Sequence, residues 1–71
     1  MSAAEDFARN LAAARHRAGL TQEEVGFKAA IHPTWISHLE SGRVNPTMST
    51  IVRLASALEV EPNDLLAGGD Q

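Results

Sequence analysis

Punctuation constrains this chain more than any other feature. A glycine or a proline interrupts it at positions 19, 33, 42, 46 and 62, and between those breaks the apolar residues recur at helical spacing. Phe7, Leu11, Ala14 and Ala18 fall at i, i+4, i+7 and i+11, one face of a first helix that Gly19 can end in a left-handed conformation. Thr21-Gln22-Glu23-Glu24 follows as an S/T-x-x-E capping box, in which the Thr21 hydroxyl and the Glu24 carboxylate each accept an amide that the helix leaves unpaired. Leu20 packs inward ahead of the cap. The second helix then runs from about Gln22 to Ala29, with Val25 and Ala29 toward the core.

Ala30-Ile31-His32-Pro33 makes the next junction. Proline suits the first position of a helix, because its missing N–H would be unpaired there anyway, so His32 becomes the N-cap of a third helix from Pro33 to about Ser41. Ile36 and Leu39 face inward and Gly42 stops it. Arg43-Val44-Asn45-Pro46 leads to Thr47, the cap of a fourth helix with Ile51, Leu54, Ala55 and Leu58 at i, i+3, i+4 and i+7. Pro62 opens a short fifth helix carrying Leu65 and Leu66. With no strand, repeat or low-complexity segment, the chain reads as an all-α, compact five-helix bundle containing a helix-turn-helix. Residues 1–71 form one domain, with its core at about 7–66 and frayed ends at 1–4 and 68–71.

Composition narrows the function. The 71 residues include no cysteine, which removes disulfides, zinc fingers and thiolate chemistry and fits a reducing cytoplasm. No apolar run approaches the roughly 20 residues of a membrane span, and the acidic start, Met1 to Asp6, has the wrong sign for a secretory signal. His16, His32 and His38 have no metal-ligand spacing, so no metal or other cofactor is expected. Ser37 and His38 are no catalytic dyad, since adjacent helical residues diverge by about 100°. An enzyme is therefore not expected. The formal charge of −3 argues at first against nucleic acid, yet between Phe7 and Leu58 six basic side chains face three acidic ones, a local balance of +3. Binding to DNA requires local positive potential, and a basic chain overall is not needed.

Two helices joined by about three residues form the unit that reads DNA: one lies across the phosphate backbone while the next presents its N-terminal residues to the major groove. The residues filling this unit are more specific than its length. Leu11, Arg15, Gly19 to Val25, Ile31, Trp35 to Arg43, Asn45-Pro46-Thr47 and Leu54 to Val60 resemble the phage repressor/Cro family, also called the xenobiotic-response-element family. The resemblance covers about Phe7 to Leu66 without a gap. Within the family, the Trp-Ile-Ser run and the Asn-Pro-Thr after the third helix look like small stand-alone regulators such as restriction–modification controllers. The resemblance implies a cytoplasmic, bacterial or phage-encoded transcriptional regulator, nucleoid-associated when bound, that works as a homodimer on double-stranded DNA with a near-palindromic operator.

Roles follow residue by residue. Gln22 matches the family glutamine whose amide and backbone N–H grip a phosphate, and a helix N-terminus is itself suited to an anion. Pro33, Thr34, Ser37 and His38 lie on the outward face of the third helix and are the candidate base contacts. Pro33 departs from the polar residue common in relatives and offers only van der Waals contact. Trp35 matches an often aromatic position; it packs into the bundle, directs its indole N–H at a phosphate, or contacts bases. Arg43, Asn45 and Thr47 follow the recognition helix as backbone contacts, with Asn45 equally suited to shaping the turn before Pro46. The resemblance also implies that Arg15 and Glu40 form an interior ion pair. Gly26 stands where relatives often have alanine, and Ala30 where they often have glycine, so Ala30 must take a positive φ or use a different turn. Phe27 falls at a usually polar position and either meets a partner or folds back on the first helix.

Dimerisation follows from energetics, because one module covers only a few base pairs while a two-fold pair reads half-sites about one DNA turn apart. Val60, Leu65 and Leu66 are the candidate subunit contacts, with closure of the core as the alternative use. The competing function is a helical protein-interaction module on the same scaffold, favoured by the net negative charge, Phe27 and the Leu65-Leu66 pair. No membrane partner is expected.

Overall fold

The computed structural model describes residues 2–68 and runs α1 (Ala3–Arg17), α2 (Gln22–Ala29), α3 (Pro33–Glu40), α4 (Met48–Leu58) and α5 (Pro62–Leu66). No strand occurs among the described residues. α3 packs on α1 and α2, α4 on α2, and α5 on α1 and α4. α1 therefore contacts both the third helix and the last.

Each helix begins where its cap chemistry dictates. Thr21 and Glu24 form the expected reciprocal capping box of α2, Thr47 accepts the Thr50 amide at 3.1 Å to start α4, and Pro33 and Pro62 open α3 and α5. One start differs from the sequence reading. Ser2 and Glu5 form a second capping box, so α1 begins at Ala3, and Ala4 is buried where a frayed end was expected. The pattern was present as Ser2-x-x-Glu5. Residues 69–71 of the expected frayed tail lie outside the described residues.

Four helices close through left-handed residues, α3 among them at Gly42, which has φ +79° and stops the helix where the sequence places the break. At the end of α1 Gly19 has φ +72°, with Leu20 N–H donating to the Arg15 carbonyl and Gly19 N–H to that of His16. α2 and α4 repeat this pattern through Ala30 (φ 58°) and Glu59 (φ 59°), neither of them glycine. Ala30 thus takes the positive φ.

The core holds Phe7, Leu11, Val25, Ile36, Leu39, Leu54 and Leu65, all essentially inaccessible, with Leu20, Ile31, Val44 and Val60 partly buried around them. Each fully buried large apolar side chain contributes about 1.5–3 kcal/mol of transfer free energy. Ala14, Val25, Ala29, Ile51, Ala55 and Leu58 are buried as their periodicity requires, whereas Ala18 is exposed at the frame of the α1 terminus. Leu65 belongs to this core, which corrects its reading as a subunit contact: a side chain with no accessible surface is already committed within its own chain. Asn10, on α1, fixes the last helix by donating its amide to the carbonyls of Leu65 at 3.0 Å and Ala67 at 2.6 Å.

Candidate nucleic-acid interface

The unit that matters runs from Thr21 to Ser41. Its sharp turn depends on Gly26. A Cβ at that position would lie 2.5 Å from the Ile31 carbonyl oxygen and 3.3 Å from the Pro33 nitrogen, so the turn folds back over α2 in space that only glycine leaves. The Ile31 N–H donates to the Gly26 carbonyl at 2.9 Å, which locks the turn to the helix it follows. From the far side Arg53 of α4 donates to the carbonyls of Ala29 at 3.2 Å and Ala30 at 2.7 Å, placing a cation on the C-terminal end of α2. This role of Arg53 was not legible from the sequence. His32 then caps α3, its Nδ1 accepting the Thr34 N–H at 3.1 Å.

The two faces of α3 separate cleanly. Ile36 and Leu39 have no accessible surface, while Thr34, Ser37 and His38 are exposed and Pro33 is half-buried. Thr34 and His38, four residues apart, share one stripe along the outward side. Trp35 is 42% exposed and so is not a core residue. Its ring meets the His38 ring edge-to-face, with centroids 5.7 Å apart and planes at 81°.

Arg15 and Glu40 are paired as expected. The Arg15 Nε–Oε2 distance is 2.7 Å and the Nη2–Oε1 distance 3.0 Å, with side-chain exposures of 12% and 8%. This two-pronged bond ties α1 to the end of α3. Arg15 Nη1 also donates to the Leu20 carbonyl at 3.0 Å, holding the junction into α2. Burial pushes the Glu40 carboxyl up, but hydrogen bonds from Arg15 and Gln22, together with the nearby positive charge, outweigh it and hold the group below the ordinary carboxylate range. The same hydrogen bond raises the Arg15 guanidinium further.

Gln22 is only partly free. Its Nε2 donates to Glu40 Oε1 at 3.1 Å, so one amide hydrogen serves the ion pair and the other remains for a ligand. Thr21 accepts the Glu24 amide, leaving the Gln22 and Glu23 amides at the entrance of α2. Arg43 and Asn45 are exposed beyond α3. The Thr47 hydroxyl is engaged as the α4 cap and donates to Thr50 Oγ1 at 3.0 Å. Of the proposed subunit contacts, Leu66 is 44% exposed and Val60 packs partly on the core. Phe27 is 89% exposed, so it does not fold back on α1. Among the described residues no group of three or more His, Cys, Asp or Glu is placed to hold a metal ion.

The helix-turn-helix domain model matches residues 6–67, almost the whole chain. The chain belongs to the helix-turn-helix family of DNA-binding transcriptional regulators. It is 42% identical over 62 residues to the uncharacterised HTH-type transcriptional regulator y4dJ of Sinorhizobium fredii, spanning 87% of this chain and 80% of that protein. The control protein C.BamHI of Bacillus amyloliquefaciens is 36% identical over 50 residues, 70% of this chain and 62% of its own length. Among solved structures, the restriction-modification controller protein C.AhdI from Aeromonas hydrophila superposes with a TM-score of 0.84 at 31% identity, covering 87% of this chain and 94% of that one. The hypothetical transcription factor NHTF from Neisseria gives 0.91 at 29% identity, over 96% of this chain and 78% of that one. The helix-turn-helix regulator thus has controller proteins among its relatives, in line with the resemblance read from its sequence. Regulators of this family are not enzymes, as the sequence reading expected. No helix among the described residues is long and apolar enough to cross a membrane.

Proposed function

We propose that the protein binds double-stranded DNA sequence-specifically as a dimeric, cytoplasmic transcriptional regulator, nucleoid-associated when bound, with residues 33–41 in the major groove of a near-palindromic operator. One observation carries this reading: Thr34, Ser37 and His38 stand exposed along α3 while its opposite side, Ile36 and Leu39, is sealed in the core. A Thr methyl suits a thymine methyl, and serine, threonine and histidine supply donors and acceptors for base edges, with Pro33 adding van der Waals contact. Gln22, through its second amide hydrogen and its backbone N–H, would meet one phosphate stretch, and Arg43, Asn45, Thr47 and the Trp35 indole N–H the neighbouring backbone. Thr47 does so through its backbone more readily than through a hydroxyl already engaged in capping.

A second copy would dock through the exposed Leu66 and the accessible part of Val60. α5 packs on α1 and α4, and α3 on α1 and α2, so a contact through α5 leaves the recognition helix uncovered. The molecule measures 29 × 21 × 20 Å, a size that lets two copies place their third helices roughly 34 Å apart, one turn of DNA.

Binding-site selection from random duplexes tests the reading. The parent should enrich a palindromic site, and Thr34→Ala and His38→Ala should each relax preference at a base pair, with losses of about 1–3 kcal/mol. Affinity should fall steeply as salt rises, because phosphate contacts release counterions. Phe27, exposed at 89%, favours the second reading, a protein-interaction module. Absence of enrichment at low salt, with salt-insensitive apolar association instead, would select it.

A further inference from the structure

We infer that Trp35 is a positioning residue for His38, bracing the imidazole so that it presents one edge to a base. The inference rests on the reading of His38 as a base contact. The observation behind it is the edge-to-face pair on the outward surface of α3, 5.7 Å between centroids and 81° between planes. Trp35 is not needed to fill the interior: Ile36 and Leu39 of the same helix are completely buried, and the indole keeps 42% of its surface accessible. It also has i, i+3 spacing to His38, which places the two side chains on neighbouring turns of one face. Thr34, four residues before His38, lies along the same stripe.

The physical need is clear from the histidine. The torsion of an exposed imidazole about its second side-chain bond is broad and roughly two-fold, so a free ring samples orientations that point either nitrogen, or neither, at a given base edge. Ordering such a side chain on binding opposes affinity, and a base edge is read only when donor and acceptor arrive in register. An aromatic wall already in contact with the ring removes part of that freedom before DNA arrives. Edge-to-face pairs of this kind stabilise by about 0.5–1.5 kcal/mol, so losing the wall should reduce discrimination by roughly two- to twelvefold. The effect falls on the base pair that His38 reads and leaves the other positions of the site unaltered.

The test compares the full chain with Trp35→Ala, Trp35→Phe, His38→Ala and the Trp35→Ala/His38→Ala double variant. Each is put through binding-site selection and affinity measurement on the parent site and on single-base changes. Trp35→Ala should relax preference at the same base pair as His38→Ala, the double variant should relax it no further, and Trp35→Phe should keep it. Trp35→Leu substitutes for the alanine variant if the latter does not fold. If His38→Ala relaxes that position and Trp35→Ala retains it, so that Trp35→Ala shows only the uniform loss of affinity expected from its phosphate contact, the inference is overturned. If His38→Ala changes nothing, the base-contact reading fails. The brace is then decided in DNA-free protein by the NMR resonances of the His38 ring protons, which Trp35→Ala should shift and Trp35→Phe largely preserve; unmoved resonances would overturn it.

Discussion

The junctions at the two ends of α2 solve the same problem by different means. Both close the preceding helix with the same pair of backbone hydrogen bonds around a left-handed residue, and both receive an arginine on their carbonyls. At the first, the left-handed residue is Gly19, nothing among the described residues approaches within 4 Å of where its Cβ would be, and Arg15 is part-buried and paired with Glu40. At the second, the left-handed residue is Ala30, Arg53 is exposed and hydrogen-bonded, among the described residues, to carbonyls alone, and the glycine sits four residues earlier, at Gly26, where the turn presses on the helix. The first junction is thus set by local preference and anchored by charge. The second, which aims the recognition helix, is set by packing.

Removing the charge anchor should have the largest effect. Glu40→Ala leaves the part-buried Arg15 without its carboxylate and also frees Gln22, and is expected to cost about 3 kcal/mol in urea unfolding, the low end of what breaking a fully buried pair costs. Replacing both partners, Arg15→Met with Glu40→Leu, should recover most of that loss. The parent also carries a pH signature. Because the folded Glu40 carboxyl lies below its ordinary value, the stability it contributes is fully present above about pH 4.3 and is lost as pH falls through the folded pKa. In Glu40→Ala that part of the acid dependence should vanish.

Packing at the second junction is probed by Gly26→Ala. Alanine is the better helix former by about 1 kcal/mol, so an open site would gain. Here the new methyl meets backbone, the Ile31 carbonyl at 2.5 Å, which cannot rotate away. The expected outcome is a net loss of about 1–3 kcal/mol, and a drop in DNA affinity beyond that loss because Pro33 and the start of α3 must shift. Arg53→Met should cost less, about 1 kcal/mol, since Arg53 is exposed and the Ala30 carbonyl that it leaves is open to water. Thermal melts of the two variants rank them.

The contrast between the junctions also marks what the sequence discloses. Interactions between residues three or four apart were legible: the Thr21–Glu24 box, the Thr47 cap, Gly19 at the end of α1, and the inward stripes of α2, α3 and α4. The Ser2–Glu5 box obeys the same rule and was within reach, yet the expectation of a frayed end hid it. What pattern could not give were contacts across the fold. Asn10 reaches carbonyls 55 and 57 residues away, and Arg53 reaches back 24 and 23 residues to α2. Leu65 and Leu66 are identical in type and adjacent in sequence, and only the packing of α5 on α1 and α4 decides that one is sealed and the other exposed. The candidate base contacts were legible as a helix face; the pairing of Trp35 with His38 needed side-chain geometry.

The smallest effect gives the sharpest comparison. If the second junction tolerates Ala30 only because packing enforces its conformation, Ala30→Gly should relieve the left-handed strain without moving the turn. An L-residue with a Cβ loses about 1–2 kcal/mol in that region, and glycine returns roughly 0.4–1 kcal/mol of that through the entropy of the unfolded chain. The net gain is about 0.5–1 kcal/mol, visible as a higher urea midpoint with an unchanged slope. DNA affinity should stay at the parent level, because the Ile31–Gly26 hydrogen bond and the His32 cap hold α3 in place regardless of residue 30. A gain in stability accompanied by weaker binding would mean that the alanine restrains the turn in its reading position, and that local preference, as at Gly19, governs both junctions.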